Sequence, residues 1–256
     1  MKSIDLNADI GEADTPDWAA AEADIVSAIS SANIACGGHA GDNASMRRTV
    51  GNALAKHVTI GAHPAYPDRK NFGRLSLTIG QDIDAKVLAE SLRRQILDLT
   101  EICAAEGAEL KYVKPHGALY NDAVFDDYKA KLISDVVARL EMGLILLGGP
   151  RSEMEKAASE FGLRFVAEGF IDRRYTDDGH LLSRKIKGAV LTDQTERLAQ
   201  ATALATTGEV TTDSGKTLTL RTGSLCVHGD SAGAVETAKH ARAAIEATGL
   251  KIESFA

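Results

Sequence analysis

The sequence lacks most of the features that mark whole classes of protein. Its three cysteines, Cys36, Cys103 and Cys226, stand alone. An odd count without a CxxC pair offers neither a zinc ribbon nor a disulfide framework, so a reducing cytoplasm is the expected setting. No Lys/Arg run exceeds two residues, and the net charge is −7. Nucleic acid and anionic membranes both need a basic footprint, so neither is an expected partner. No apolar run is long enough to span a bilayer. The opening MKSIDLNADIGE is interrupted by Asp5, Asn7, Asp9 and Glu12, unlike a signal peptide. HExxH and GxGxxG are missing. Ser214-Gly215-Lys216-Thr217 resembles the end of a P-loop, but Val210 stands where that loop needs glycine, and a strand pattern follows instead of a helix. No linker, low-complexity tract or repeat divides the 256 residues, so one domain over 1–256 is expected.

What remains is regular. Short apolar runs at 3–8, 32–36, 58–62, 110–113, 144–147, 164–167, 189–191 and 224–227 read as strands. Helical patterns lie between them. The clearest is 84–106, with Leu88, Leu92, Ile96, Leu99 and Cys103 spaced by fours and threes and Gly107 closing it. Others are read at 18–30, 43–57, 126–140, 152–161, 193–206 and 232–248. Such alternation predicts a parallel sheet, either a barrel of seven or eight strands or a doubly wound sheet. The Thr/Val alternation at 208–220, around Asp213-Ser214-Gly215, predicts an appended β-hairpin.

Several predicted strands end in a burst of polar residues. They bring Asn7, Asp9 and Glu12; Asn33, Cys36, His39 and Asp42; His63 and Asp68, then Arg74; Lys114 and His116; Glu168, Asp172, Arg173 and Tyr175; and His228 and Asp230. In a parallel barrel all these ends lie on one rim, where active sites are built. His39, His63, His116 and His228 are four of the seven histidines, and together they predict a shared site. Asp42, Asp68 and Asp230 fit equally well as helix caps or turn formers. His57, His180 and His240 read as structural or surface residues. Cys103 reads as packing and Cys226 as facing the barrel interior, while Cys36 is either a nucleophile or a small buried residue. The mixture of Asp and His suits zinc or manganese, so a divalent metal stays open.

At these strand ends DLNADIGE, SSANIACGGHAGD, IGAHPAYPD with FGR, VKPHGALYN, EGFIDRRYTDDG and LCVHGD resemble, in order, the pattern of the LamB/YcsF family, the A subunits of 5-oxoprolinase. The resemblance implies an irregular (β/α) barrel similar to the glycoside hydrolase/deacetylase barrels. It implies ATP-dependent opening of 5-oxo-L-proline (pyroglutamate) to L-glutamate with partner subunits B and C. ATP is then a co-substrate of the complex, and the lack of a P-loop assigns the phosphoryl chemistry to the partners. On this reading Asp9, His39, His63, Lys114, His116 and His228 are the candidate catalytic residues, with His63 or His116 favoured as the base. Asp9 would orient the imidazole or act as base itself, and Lys114 would stabilise an oxyanion or phosphate. Asn7, Glu12, Asn33, Arg74, Asp172, Arg173 and Asp230 are the candidate substrate-binding residues, with Arg74 or Arg173 clamping a carboxylate. Two departures from the family pattern, a short loop at 13–18 and Gly38 in place of an aromatic residue, fall at the expected rim. The alternatives are a stand-alone metal-dependent deacetylase or amidohydrolase, and a non-catalytic substrate-binding subunit.

Overall fold

The computed structural model describes residues 2–228 and 233–256. Its first strand, β1 (Ser3–Ile10), is buried from Ile4 onward. Burial on both faces is what a strand in a closed parallel sheet requires. Leu6, Ala8 and Ile10 belong to the main apolar core. The alternate residues Asp5, Asn7 and Asp9 point to the other face, inside the barrel.

Closure is explicit. β1 pairs in parallel with β2 (Ser31–Ala35) on one side and with β9 (Ser224–His228) on the other. Between these run β3 (Thr59–His63), β4 (Leu110–Val113), β5 (Ile145–Gly148) and β6 (Phe165–Phe170), and β6 pairs with β9. Among the described residues seven parallel strands therefore form a closed barrel, which excludes a doubly wound sheet. A short β10 (Lys251–Ile252) pairs with the start of β1. The predicted hairpin is present as antiparallel β7 (Glu209–Thr211) and β8 (Thr217–Thr219).

The eight described helices are α1 (Pro16–Val26), α2 (Asn43–Ala55), α3 (Ala85–Ala105), α4 (Gly117–Phe125), α5 (Asp127–Arg139), α6 (Glu153–Glu160), α7 (Gln194–Thr206) and α8 (Ala234–Glu246). Most begin where a side-chain oxygen can take an orphan backbone N–H. Asp42 caps α2 in a reciprocal box with Ser45, and Asp68 caps the short turn that follows β3. Both are thus caps. No described helix is long and apolar enough to cross a membrane.

Two expectations are corrected. Residues 189–191 form no barrel strand, and Val190 makes only an isolated antiparallel bridge to Arg173. Ala189 and Leu191 are buried as packing for the loop that follows β6, which accounts for an apolar run without a ladder. The helix read at 18–30 ends at Val26, and α4 is an element the sequence pattern does not predict.

One end of the barrel interior is apolar. Tyr112, Ile145, Leu147 and Val166 cluster there, and Phe255 packs edge-on to Tyr112 with ring centroids 5.0 Å apart. The Tyr112 ring needs Gly61 on the neighbouring strand, since a Cβ there would lie 2.2 Å from ring carbons. Above this plug the interior turns polar.

Candidate active site

The lowest polar layer centres on Asp5. It accepts hydrogen bonds from Ser30 and Ser31 at 2.6 Å each, and from Ser224. Burial pushes its carboxyl up to about 6, against the pull of the three hydroxyls. Above it, Asn7 donates to Ser224 at 2.6 Å and to Glu168 at 3.3 Å. Asn33 donates to Asn7 and to Asp9 at 2.7 Å each, and accepts from the Tyr112 hydroxyl at 2.7 Å. These amides leave few options for the groups they hold.

Lys114 follows β4 directly and turns inward. Its Nζ lies 2.9 Å from Asp9 Oδ1, 3.1 Å from Glu168 Oε2, 3.3 Å from Asn7 Oδ1 and 3.1 Å from Cys226 Sγ. Burial alone would lower its pKa, but Asp9, Cys226 and Glu168 outweigh burial and hold the ammonium well above its ordinary range. Asp9 behaves in the opposite sense. Burial raises it, yet His63 and Lys114 together hold its carboxyl well below the usual range.

Three imidazoles sit beside this pair. His63 Nδ1 donates to the Lys114 carbonyl at 2.7 Å, and His116 Nε2 donates to the Phe72 carbonyl at 3.0 Å. A carbonyl can only accept, so each of these nitrogens carries its hydrogen. The remaining nitrogens, His63 Nε2 and His116 Nδ1, face each other at 3.0 Å. Asp9 Oδ2 is 3.4 Å from His63 Nε2, and Glu12 Oε1 is 3.5 Å from His116 Nδ1. His39 stacks on His116 with centroids 3.6 Å apart and donates from Nε2 to Glu12 at 2.8 Å. Burial, reinforced by neighbouring imidazoles, holds both His39 and His116 well below the ordinary histidine range, so both rings are neutral.

A second dyad completes the wall. His228 Nδ1 lies 2.8 Å from Asp172 Oδ2 and 2.9 Å from Oδ1, and its ring packs on Phe170. Burial raises Asp172, but His228 brings its carboxyl below the usual range. Arg173 is buried. It donates to the Leu182 carbonyl at 2.6 Å, while its Nε has no hydrogen-bond partner among the described residues. Burial and the neighbouring Arg184 bring its pKa down to about 10, so it remains a cation.

These groups line a cavity of about 410 Å³ that takes in Asp9, Glu12, His63, Lys114, His116 and His228 at its base. Arg74, Arg173, Arg184 and Lys185 add positive charge to its walls. The cavity suits a small anionic molecule. Asn7, Asn33, His39 and Asp172, expected at the site, stand behind this surface and hold the residues that line it. Asn7 and Asn33 in particular are wholly buried and hold Asp9, Glu168 and Ser224 in place. Asp230 lies outside the described residues. Cys36 also lies behind the wall, and burial pushes its thiol up to about 12, which fits packing and not nucleophilic attack. Neither departure from the family pattern reaches the cavity. The short loop is tied down by Glu22, which accepts from the Glu12 and Ala13 amides. At Gly38 a Cβ would lie 2.3 Å from the amide of Gln95, which bonds both the N–H and the carbonyl of Ala65.

The site also contains residues to which the sequence assigned no role, although Glu168 stands in one of the strand-end bursts. Glu168, wholly buried, is the second counter-charge of Lys114, and Phe170, Arg184 and Lys185 line the cavity. A period-two reading of β6 places Phe170 on the face of Glu168 and could have found it. Arg184 and Lys185 sit in a loop without periodicity and carried no such signal.

The LamB/YcsF family model matches residues 4–256. The chain belongs to the LamB/YcsF family. It is 42% identical over 257 residues to 5-oxoprolinase A subunit 1 of Agrobacterium fabrum, covering 100% of this chain and 99% of that protein. It is 41% identical over 254 residues to the 5-oxoprolinase A subunit of Streptomyces avermitilis, covering 99% and 100%. Among solved structures it is similar to the lactam utilization protein of Thermus thermophilus, with a TM-score of 0.90, 35% identity and full coverage of both chains. In this LamB/YcsF protein the expected irregular barrel is therefore found, with seven strands.

Proposed function

We propose that this chain is the A subunit of an ATP-dependent 5-oxoprolinase and that its cavity opens the lactam of 5-oxo-L-proline to L-glutamate. The observation that carries the reading is the convergence, on one small cationic cavity, of the buried Lys114–Asp9 pair and the Asp172–His228 dyad. Relatives named as 5-oxoprolinase A subunits support the substrate class.

A lactam amide is resonance-stabilised and its nitrogen is a poor leaving group. In this reading subunits B and C use ATP to phosphorylate the lactam oxygen, which makes the ring carbon electrophilic. Two waters are consumed overall. One adds across the C–N bond, hydroxyl to carbon and hydrogen to nitrogen, and the other takes the phosphoryl group, leaving glutamate, ADP and phosphate. His228, oriented by Asp172, removes the proton from the attacking water and returns one to nitrogen. His228 is preferred here to His63 or His116 as the base, because the remaining nitrogens of those two rings are engaged with each other at 3.0 Å. Lys114 places a fixed positive charge at the base of the cavity for the oxygen that becomes negative. The Arg173 guanidinium takes the substrate carboxylate, and the cationic wall draws the anion in.

The test is glutamate formation from 5-oxo-L-proline and ATP by the chain alone, by B and C alone, and by all three. Only the full set should turn over; turnover by B and C alone would rule the reading out. The acceptor cluster of Asp9, His63 and His116 favours one second reading, a metal-dependent amidohydrolase, and glutamate release by the isolated chain with metal would support it.

A further inference from the structure

Three potential ligand atoms converge beside the cavity. His63 Nε2 and His116 Nδ1 are 3.0 Å apart, and Asp9 Oδ2 is 3.4 Å from the first. Glu12 Oε1, which accepts from His39, lies 3.5 Å from the second. The opposite nitrogens of both rings already donate to the Lys114 and Phe72 carbonyls. The two remaining ring nitrogens face each other at hydrogen-bond distance, next to two carboxylates. A cation between them suits that arrangement. Asp9 and Glu168 share the single ammonium of Lys114, which takes Asp9 Oδ1 and leaves Oδ2 facing the rings.

We propose that Asp9, His63 and His116 form the binding site for one divalent transition-metal ion, with Glu12 as a neighbouring carboxylate. The three ligand atoms lie within 4.8 Å of one another. Ligands at 2.0–2.1 Å around a four-coordinate zinc stand about 3.3 Å apart, so small shifts seat an ion. The surroundings match what such ligands need. Each imidazole is fixed through its other nitrogen by a backbone carbonyl, and the far oxygen of Asp9 is held by Asn33 and Lys114. Two imidazoles and a carboxylate suit zinc, cobalt or manganese over calcium or magnesium.

The full chain is stripped with chelator and titrated separately with zinc and with cobalt(II), following heat of binding and, for cobalt, visible absorption. One equivalent should bind, reversed by chelator, with the intense absorption of a low-coordinate cobalt site. His63→Ala and His116→Ala should weaken binding at least ~100-fold, and His116→Gln should do the same while keeping a donor for the Phe72 carbonyl. Circular dichroism verifies that each variant is folded. His240→Ala, at an exposed position, should bind as the parent chain does. Failure of both metals to bind saturably at millimolar concentration would overturn the proposal, as would unchanged binding in folded His63→Ala and His116→Gln. Neither result depends on 5-oxoproline turnover, so this proposal and the functional one fail separately.

Discussion

Lys114 and Glu168 meet at 3.1 Å with side-chain exposures of 2% and 0%. The same ammonium bonds Asp9, so one cation serves two carboxylates at a largely buried position. Removing one partner of such a pair leaves an uncompensated buried charge. Lys114→Met should therefore lower unfolding free energy by about 3–5 kcal/mol, measured by urea denaturation. A loss under about 1 kcal/mol, the scale of an exposed ion pair, would contradict the assignment.

The Asp172–His228 dyad makes a kinetic prediction. Asp172→Asn keeps the shape of the side chain but alters the hydrogen bond that fixes the imidazole. In the reconstituted complex kcat should fall by ~10²–10⁴ with KM little changed. Adding His228→Ala to that variant should cost little more, because the two residues act as a unit. Additive losses would show that they act separately.

Arg173 predicts the opposite split. A hydrogen bond to a charged group contributes about 1.5–3 kcal/mol, so Arg173→Gln should raise KM for 5-oxo-L-proline by ~10–100-fold and change kcat less. Competition by other small carboxylates should weaken in parallel. An unchanged KM would move carboxylate recognition to Arg74 or Arg184.

Glu22 governs a pH dependence of stability. Burial pushes its carboxyl from 4.5 up to about 7, with the Glu12 charge adding to burial and the Glu12, Gly11 and Ala13 amides opposing it. The folded state thus binds more protons than the unfolded state between those values. Its contribution to stability is fully present below about 4.5 and is lost as pH rises toward 7. Glu22→Gln keeps an acceptor for the Glu12 and Ala13 amides and removes the titration. Its melting temperature should exceed that of the parent chain at pH 8, and the gap should close at pH 5. An equal difference at both values would exclude Glu22 as the source.

Much of this architecture was legible because strand ends carry their own signal. Asp9, His63, Lys114, His116, Arg173 and His228 each follow or close an apolar run, and all line one cavity. The layers beneath were not selected as a unit. Asp5, Asn7, Ser31, Asn33 and Ser224 are polar residues inside strands, where alternation ordinarily marks a solvent face. Here the second face is a barrel interior, and the polar groups satisfy one another. Helix α4 was hidden for a different reason. It starts immediately after His116, and Ala118, Leu119, Tyr120 and Ala123 bury it on several sides, so no amphipathic stripe shows. Residues 189–191 misled in reverse, since burial by a loop leaves the same apolar run as burial in a sheet. The pairing of His63 with His116 depends on which nitrogen meets which carbonyl, and only the folded chain contains that information.

The most direct test of the central claim uses Asp9→Asn in the complex with subunits B and C. Asparagine preserves the shape of the side chain and an acceptor for Asn33 and Lys114, so folding, checked by circular dichroism, should survive. The quantity measured is glutamate formed per ATP hydrolysed with 5-oxo-L-proline present. The account predicts that glutamate formation falls at least ~10²-fold and that ATP hydrolysis no longer tracks 5-oxoproline. Parental coupling in the folded variant would contradict it, and catalysis would then belong to the partner subunits.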